Sequence, residues 1–194
     1  GKGAEVLICP GSLADPDLPK TIIENVTKHY GKIDILINNA GVSIDNKKLE
    51  ETSTEEWDLI MNVNARAPFL LCREAIPYLK RSDSATIINI TSTLGTRAYL
   101  NSGAYTASKH ALRGMTKVLA KEVFNDHIWV HVIAPGGVET EMLNKARPEF
   151  ENIKLSTPDE MADVAMFLLT HRGGAMVIDE IKTHRCSKEP WQWD

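Results

Sequence analysis

The stretch Ser102-Gly103-Ala104-Tyr105-Thr106-Ala107-Ser108-Lys109-His110-Ala111-Leu112 reads as the opening of a long helix running to about Phe124. Leu112, Met115, Val118, Leu119 and Val123 form its apolar stripe. A short apolar run flanks it on each side, Ala85 to Ile90 before and Ile128 to Ala134 after, both of strand type. Two strands joined through a helix pair in parallel, because the crossover returns the chain to its starting edge. The same alternation extends outward in both directions. Upstream, Val6-Leu7-Ile8-Cys9 reads as a buried strand closed by Pro10-Gly11. A helix is expected from Asp15 to Pro19 onward, with Ile22, Ile23, Val26 and Tyr30 at helical spacing and Gly31 ending it. Ile33 to Ile37 is nearly all apolar, as a strand covered on both faces should be. Ser53 and Glu56 have capping-box spacing, and a helical stretch from about Glu55 to Tyr78 follows. Pro68 and Pro77 should bend or interrupt it. Downstream, Thr157-Pro158-Asp159-Glu160 starts a last helix, and Ala175-Met176-Val177-Ile178 reads as a final strand. The expected fold is α/β, a doubly wound parallel sheet in one domain over residues 1–181, with a polar tail over 182–194 that carries Trp191 and Trp193.

At 194 residues, 43% hydrophobic and 25% charged, the chain suits one soluble domain with a well-buried core. A formal net charge of -4 leaves no footprint for nucleic acid or an anionic membrane, so neither is expected as a partner. No apolar run reaches spanning length. Cys9, Cys72 and Cys186 are far apart and odd in number, which suggests neither a disulfide framework nor a zinc knuckle and fits a reducing, cytoplasmic setting. His184 and Cys186 lie close together without a second ligand pair, so no metal site is expected.

The chemistry-bearing residues gather where a parallel sheet places ligands, at the carboxyl ends of strands. Asn38-Asn39-Ala40-Gly41 follows the second apolar run, and its two small residues allow another group to approach the backbone. Thr91-Ser92-Thr93 closes the third run with hydroxyls, and Pro135-Gly136-Gly137 ends the fourth. Tyr105 and Lys109 stand four apart and so share a helix face. A phenol beside an ammonium is a proton donor whose ionised form the positive charge stabilises. Taken alone, the pair is also what a half-buried tyrosine and a snorkelling lysine would give. Asn64, inside the long helix, could bond to a water or to a backbone group freed at a bend.

Taken together, Asn38-Asn39-Ala40-Gly41, Asn64, Ser92, Tyr105 with Lys109, and Pro135-Gly136-Gly137-Val138-Glu139-Thr140 resemble the short-chain dehydrogenase/reductase family over roughly residues 5 to 180. Ser92 stands thirteen positions before Tyr105, as the family's serine does, and Val63-Asn64 matches its helical asparagine step. The resemblance implies a Rossmann-like fold and an NAD(P)-dependent oxidoreductase, reducing a carbonyl or oxidising a secondary alcohol. Tyr105 would be the general acid or base, and Lys109 would assist it and bond the nicotinamide ribose. Ser92 would hold the substrate oxygen, and Asn64 would place a water that relays protons towards Lys109. Asn38, Ala40 and Gly41 match positions lining the adenosine side of the cofactor. Pro135, Gly136, Val138 and Thr140 belong to the segment that meets its nicotinamide. Ser12, followed by Leu13, stands where the family has an acidic residue beside the adenine.

The family's opening strand, its Thr-Gly-x-x-x-Gly-x-Gly turn and the helix that holds the pyrophosphate have no counterpart in these residues. The expectation is therefore a Rossmann-like sheet without its first two strands and first helix, with an exposed sheet edge. The choice between NAD and NADP is not readable, and weak cofactor binding by these 194 residues alone is expected. A catalytically silent protein acting through dimerisation, or a fragment of a longer one, is the alternative. In the family the helices over 55–78 and 103–124 form the subunit contacts, so a homodimer or homotetramer is implied.

Overall fold

The computed structural model describes residues 3–44, 46–150, 153–171 and 177–184. Four strands form one parallel sheet: β1 (Ile35–Asn38), β2 (Thr86–Ile90), β3 (Trp129–Ala134) and β4 (Glu180–Lys182), in that spatial order. Helix α1 (Leu18–Tyr30) precedes β1 and is stopped by Gly31, whose φ of 79° is the left-handed conformation glycine adopts without cost. Between β1 and β2 run α2 (Thr54–Met61) and α3 (Ala67–Leu79), joined without a loop by a π-helical turn over 62–66. Ser53 and Glu56 form the capping box expected of them. Helix α4 (Gly103–Glu122) links β2 to β3, and α6 (Pro158–Thr170), itself started by a Thr157–Glu160 capping box, precedes β4.

Side-chain alternation along the strands separates two apolar layers. Ile87 and Val130 face Ile23 of α1, Leu71, Ala75 and Leu79 of α3 and Leu119 of α4. Ile88 and Ile133 face Leu168 of α6 on the other side. Burial on both faces is the doubly wound arrangement.

Four expectations need correction. Val6-Leu7-Ile8-Cys9 is not a strand: Val6 is 74% and Ile8 78% exposed, and no neighbouring strand among the described residues offers it a ladder. The strand expected over 33–37 is β1, and it is not covered on both faces. Leu36 packs into the first layer, whereas Ile35 and Ile37, pointing the other way, are 40% and 43% exposed at the sheet edge. Among the described residues the final strand lies at 180–182, and Val177 and Ile178 of the run expected over 175–178 stand outside it. Val132, Ile133 and Ala134 pair there with Glu180, Ile181 and Lys182, and the Glu180 carboxylate enters the sheet because Arg113 and Lys117 of α4 meet it at 2.7 and 3.1 Å. The long helix changes form before Pro68 rather than at it: the π turn over 62–66 separates α2 from α3, Pro68 lies in the first turn of α3, and Pro77 lies within α3 without ending it. Of the tail, Lys182 closes β4 and Thr183 extends its ladder, donating to Ala134 O and accepting from Gly136 N. Residues 175–176, Cys186, Trp191 and Trp193 lie outside the described residues.

Candidate active site

All four strands end at one edge, and the ladder continues beyond them. Thr91 N donates to Ile133 O at 2.8 Å, and Thr93 N to Pro135 O at 2.8 Å. Gly136 N donates to Thr183 O at 2.8 Å. The Ser92 and Pro135–Gly137 segments are therefore held side by side in backbone hydrogen bonds.

Lys109 is the buried charge of this edge. It is 3% exposed, and its Nζ donates to Ile90 O at 3.0 Å, at the carboxyl end of β2. Burial holds its ammonium well below the ordinary lysine range, at about 8. Nζ lies 5.6 Å from the centroid of the half-buried Tyr105 ring, one turn earlier on α4. A Cβ on Gly41 would stand 3.5 Å from Nζ and 3.3 Å from Asn64 Oδ1, so the bare backbone at this position lets the asparagine-rich loop close over both side chains.

Asn64 is fully buried in the π turn. Its Oδ1 accepts from Val42 N at 2.8 Å, and its Nδ2 donates to Val42 O at 2.9 Å and to Ser108 Oγ at 3.1 Å. Ser108 Oγ in turn donates to Tyr105 O at 2.8 Å. The amide thus joins the loop after β1 to the Tyr105 helix, rather than satisfying a helix group freed at a bend. Ser108, between Tyr105 and Lys109, is a connecting residue not singled out from the sequence. Its place three residues after Tyr105, on the same helix face, was the available signal.

Ser92 is nearly buried, with extended backbone, and its Oγ accepts from Leu94 N at 3.1 Å. The short 3-10 turn that follows packs on α4: a Cβ on Gly95 would stand 3.1 Å from Lys109 O. The structure therefore gathers Gly41, Asn64, Tyr105, Ser108 and Lys109 directly, and brings Ser92 to them through Ile90 and Gly95.

The remaining candidates are spread more widely. The Asn38 side chain points into the protein, where Nδ2 donates to Asn89 Oδ1 at 2.7 Å and to Cys72 Sγ at 3.4 Å. Asn89 Nδ2 then donates to Thr116 Oγ1 at 2.9 Å, which forms a buried polar chain from β1 through β2 to α4. Burial raises the Cys72 thiol to about 11, so it stays protonated. Ala40 is exposed, and Pro135 is buried under the half-buried Gly136. Val138 makes a parallel bridge to Ser156, and Thr140 caps the short helix α5 (Glu141–Ala146), accepting from Leu143 N at 3.2 Å. Leu13 packs on the first apolar layer, and exposed Ser12 accepts from Ala14 N at 3.3 Å. Arg66 of the π turn donates to Ala14 O at 2.6 Å and so ties that loop to the helix carrying Asn64.

Residues 1–151 match the family model described as short chain dehydrogenase. The chain belongs to the short-chain dehydrogenase/reductase family. It is 34% identical over 165 residues to the 3-oxoacyl-[acyl-carrier-protein] reductase FabG of Thermotoga maritima, an alignment covering 81% of this chain and 67% of that protein. Among solved structures it resembles a metagenomic short-chain oxidoreductase in complex with NADP, with a TM-score of 0.79 and 30% identity over 96% of this chain and 77% of that one. It also resembles levodione reductase, with a TM-score of 0.84 and 25% identity over 93% and 76%.

Proposed function

We propose that the chain carries the catalytic part of an NAD(P)-dependent oxidoreductase that reduces a small carbonyl compound or oxidises the matching secondary alcohol. The observation that carries the reading is the Lys109 ammonium, buried at the end of β2 with its Nζ 5.6 Å from the Tyr105 ring. An ammonium placed there stabilises the phenolate that remains when Tyr105 gives its proton to a carbonyl oxygen, and the reverse transfer serves alcohol oxidation. Ser92 Oγ would orient that oxygen. Both Nδ2 protons of Asn64 go to Val42 O and Ser108 Oγ and its Oδ1 accepts from Val42 N, so it holds the Gly41 loop against Lys109, where it would also place a water that relays protons towards Lys109.

The residues fit a nicotinamide cofactor. Lys109 has three protons to donate, and Ile90 O accepts one of them. A ribose diol supplies acceptors of the right kind for the others, and the absent Cβ at Gly41 leaves room for it. Pro135, Gly136, Val138 and Thr140 would border the nicotinamide, with Ala40 and Gly41 towards the adenosine. When bound, the cofactor supplies the hydride.

Phe69 at 46% and Val118 at 55% exposure put apolar surface on the two long helices, which supports pairing with a second copy. No helix among the described residues is long and apolar enough to cross a membrane. Cys9 and Cys72 are both free thiols, which supports a reducing, cytoplasmic setting.

The test is Tyr105→Phe, made in the chain extended at its N-terminus by the family's glycine-rich turn unit and assayed with NADPH and ethyl acetoacetate, a small 3-oxo ester. Turnover should fall by about 10³-fold while the NADPH dissociation constant changes by less than about threefold, because the ring stays and only the transferable proton is lost. Near-normal turnover in the phenylalanine variant would assign the proton to another acid.

A further inference from the structure

Arg147 lies just after α5, in the polar segment that begins at Thr140, yet it is only 9% exposed. Its Nη2 donates to Leu100 O at 2.8 Å and to Ser102 Oγ, and its guanidinium stacks on the Tyr99 ring, 4.6 Å from the centroid. Nη1 lies 3.6 Å from Glu149 Oε1, a carboxylate half exposed to solvent. One side chain thus grips the whole approach to the Tyr105 helix, from Tyr99 to Ser102.

Two local preferences are broken at this contact. Ser102 is the N-cap of α4, but its hydroxyl makes no cap bond to the helix. A serine cap is worth on the order of 1 kcal/mol, and here the hydroxyl is turned to Arg147. A cation beside a helix N-terminus opposes the helix dipole. Asn101, at a φ of 59°, turns the chain into the helix in the left-handed region that asparagine tolerates. Local costs gathered on one contact mark a site where arrangement matters more than stability. Resting on the reading of Tyr105 and Lys109 as the reacting pair, we propose that Arg147 is a positioning residue. It latches the segment over 141–150, which follows directly on the Thr140 proposed to border the nicotinamide, to the start of α4, three residues before Tyr105, and so holds that segment at the flank of the reacting pair.

The latch acts on the segment over 141–150 rather than on Tyr105 itself. The body of α4 is fixed independently, by Lys109 on Ile90 O and by Thr116 on Asn89. Loss of the latch should therefore weaken substrate retention and leave the proton transfer intact.

The experiment compares Arg147→Met, Arg147→Lys and Ser102→Ala with the unchanged protein in two assays. In hydrogen–deuterium exchange, Arg147→Met should speed exchange in both 99–102 and 143–150 by about tenfold or more while the amides over 109–119 stay protected. With NADPH and ethyl acetoacetate, KM should rise about tenfold and kcat stay within about threefold. Arg147→Lys should not rescue either property, since lysine has neither the fork nor the flat face. Ser102→Ala should give the same pair of changes in smaller measure. Unchanged exchange in either segment overturns the latch, as does a fall in kcat at constant KM. If the unchanged protein fails to reduce any carbonyl, the proposed activity fails, while the exchange measurement still decides whether the latch exists.

Discussion

Lys109→Met should make the protein more stable at neutral pH while abolishing turnover. Burial places the Lys109 ammonium at about 8, from an ordinary 10.5, so keeping it charged inside the fold costs about 3 kcal/mol. At pH 7 the group is protonated in both folded and unfolded chains, and the whole cost is present. Methionine keeps the length and apolar stem of lysine but gives up the bond to Ile90 O, a loss of about 1–2 kcal/mol. The net expectation is a gain of about 1–2 kcal/mol for the variant at pH 7. The pH dependence supplies the sign. Between about 8 and 10.5 the unfolded chain still holds the proton that the folded lysine has released, so the stability of the unchanged protein rises with pH, by at most about 1.4 kcal/mol per unit. The methionine variant lacks that rise, and its advantage should disappear by about pH 10. Urea unfolding of both proteins at pH 7, 8, 9 and 10 measures the difference and cancels every group they share. A difference that stays constant over that range, or a variant less stable at pH 7, would refute the placement of a costly buried charge at this position.

Glu180→Gln should lower stability at pH 7 by roughly 2 kcal/mol, because it leaves Arg113 and Lys117 without the carboxylate they share. The Arg113 guanidinium in the first place, with Lys117, holds Glu180 at about 2, so its stabilisation is complete above about 4.5 and is lost as pH falls towards 2. Acid unfolding of the glutamine variant should lack that part of the slope, and an unaltered acid limb would count against the pairing. Asn89→Leu should cost about 2–3 kcal/mol by leaving the Asn38 amide and the Thr116 hydroxyl without their shared partner, and a melting temperature within 2 °C of the unchanged protein would contradict it. The 194 residues by themselves should bind NADPH no more tightly than about 1 mM. Two further bonds from the Lys109 ammonium supply roughly 3–6 kcal/mol, association costs at least about 4 kcal/mol, and these residues contain no glycine-rich turn to hold the pyrophosphate. Micromolar affinity in a fluorescence titration would show that the phosphates are held elsewhere in the chain.

Fold legibility followed how many neighbours each segment had. β2 and β3 have a strand on each side and an apolar layer on each face, and their apolar runs announced them to within a residue. The edge segments were misread because apolar character alone does not make a strand. Val6 to Cys9 has the composition but no ladder, while Glu180-Ile181-Lys182 lacks the composition and has one. What admits Glu180 is a pair of cations on α4 more than sixty residues earlier in the chain, a relation no local window contains. The π turn was hidden for a similar reason. Pro68 announces a disturbance, but its form is set by a polar side chain, Asn64, whose partners lie on a loop and on another helix.

That last point bears on how the site is built. Tyr105, Lys109 and Ser92 were readable because spacing on one helix and position after one strand place them. Their mutual orientation depends on connections that spacing does not encode: Asn64 to Val42, Asn64 to Ser108, Asn89 to Thr116, and Arg147 to Ser102. Each connection joins segments brought together only by the parallel sheet, and most end on a backbone group or a neutral side chain, for which many residue types could substitute on composition alone. A polar residue inside an apolar run, such as Asn89 within Ile87-Ile88-Asn89-Ile90, is the trace they leave in the sequence, because burying an amide is tolerated only where a partner waits. A polar residue in a buried strand therefore implies a second polar residue on a distant element. Asn38, at the end of β1 and 5% exposed, carries the same trace, and its partner is Asn89.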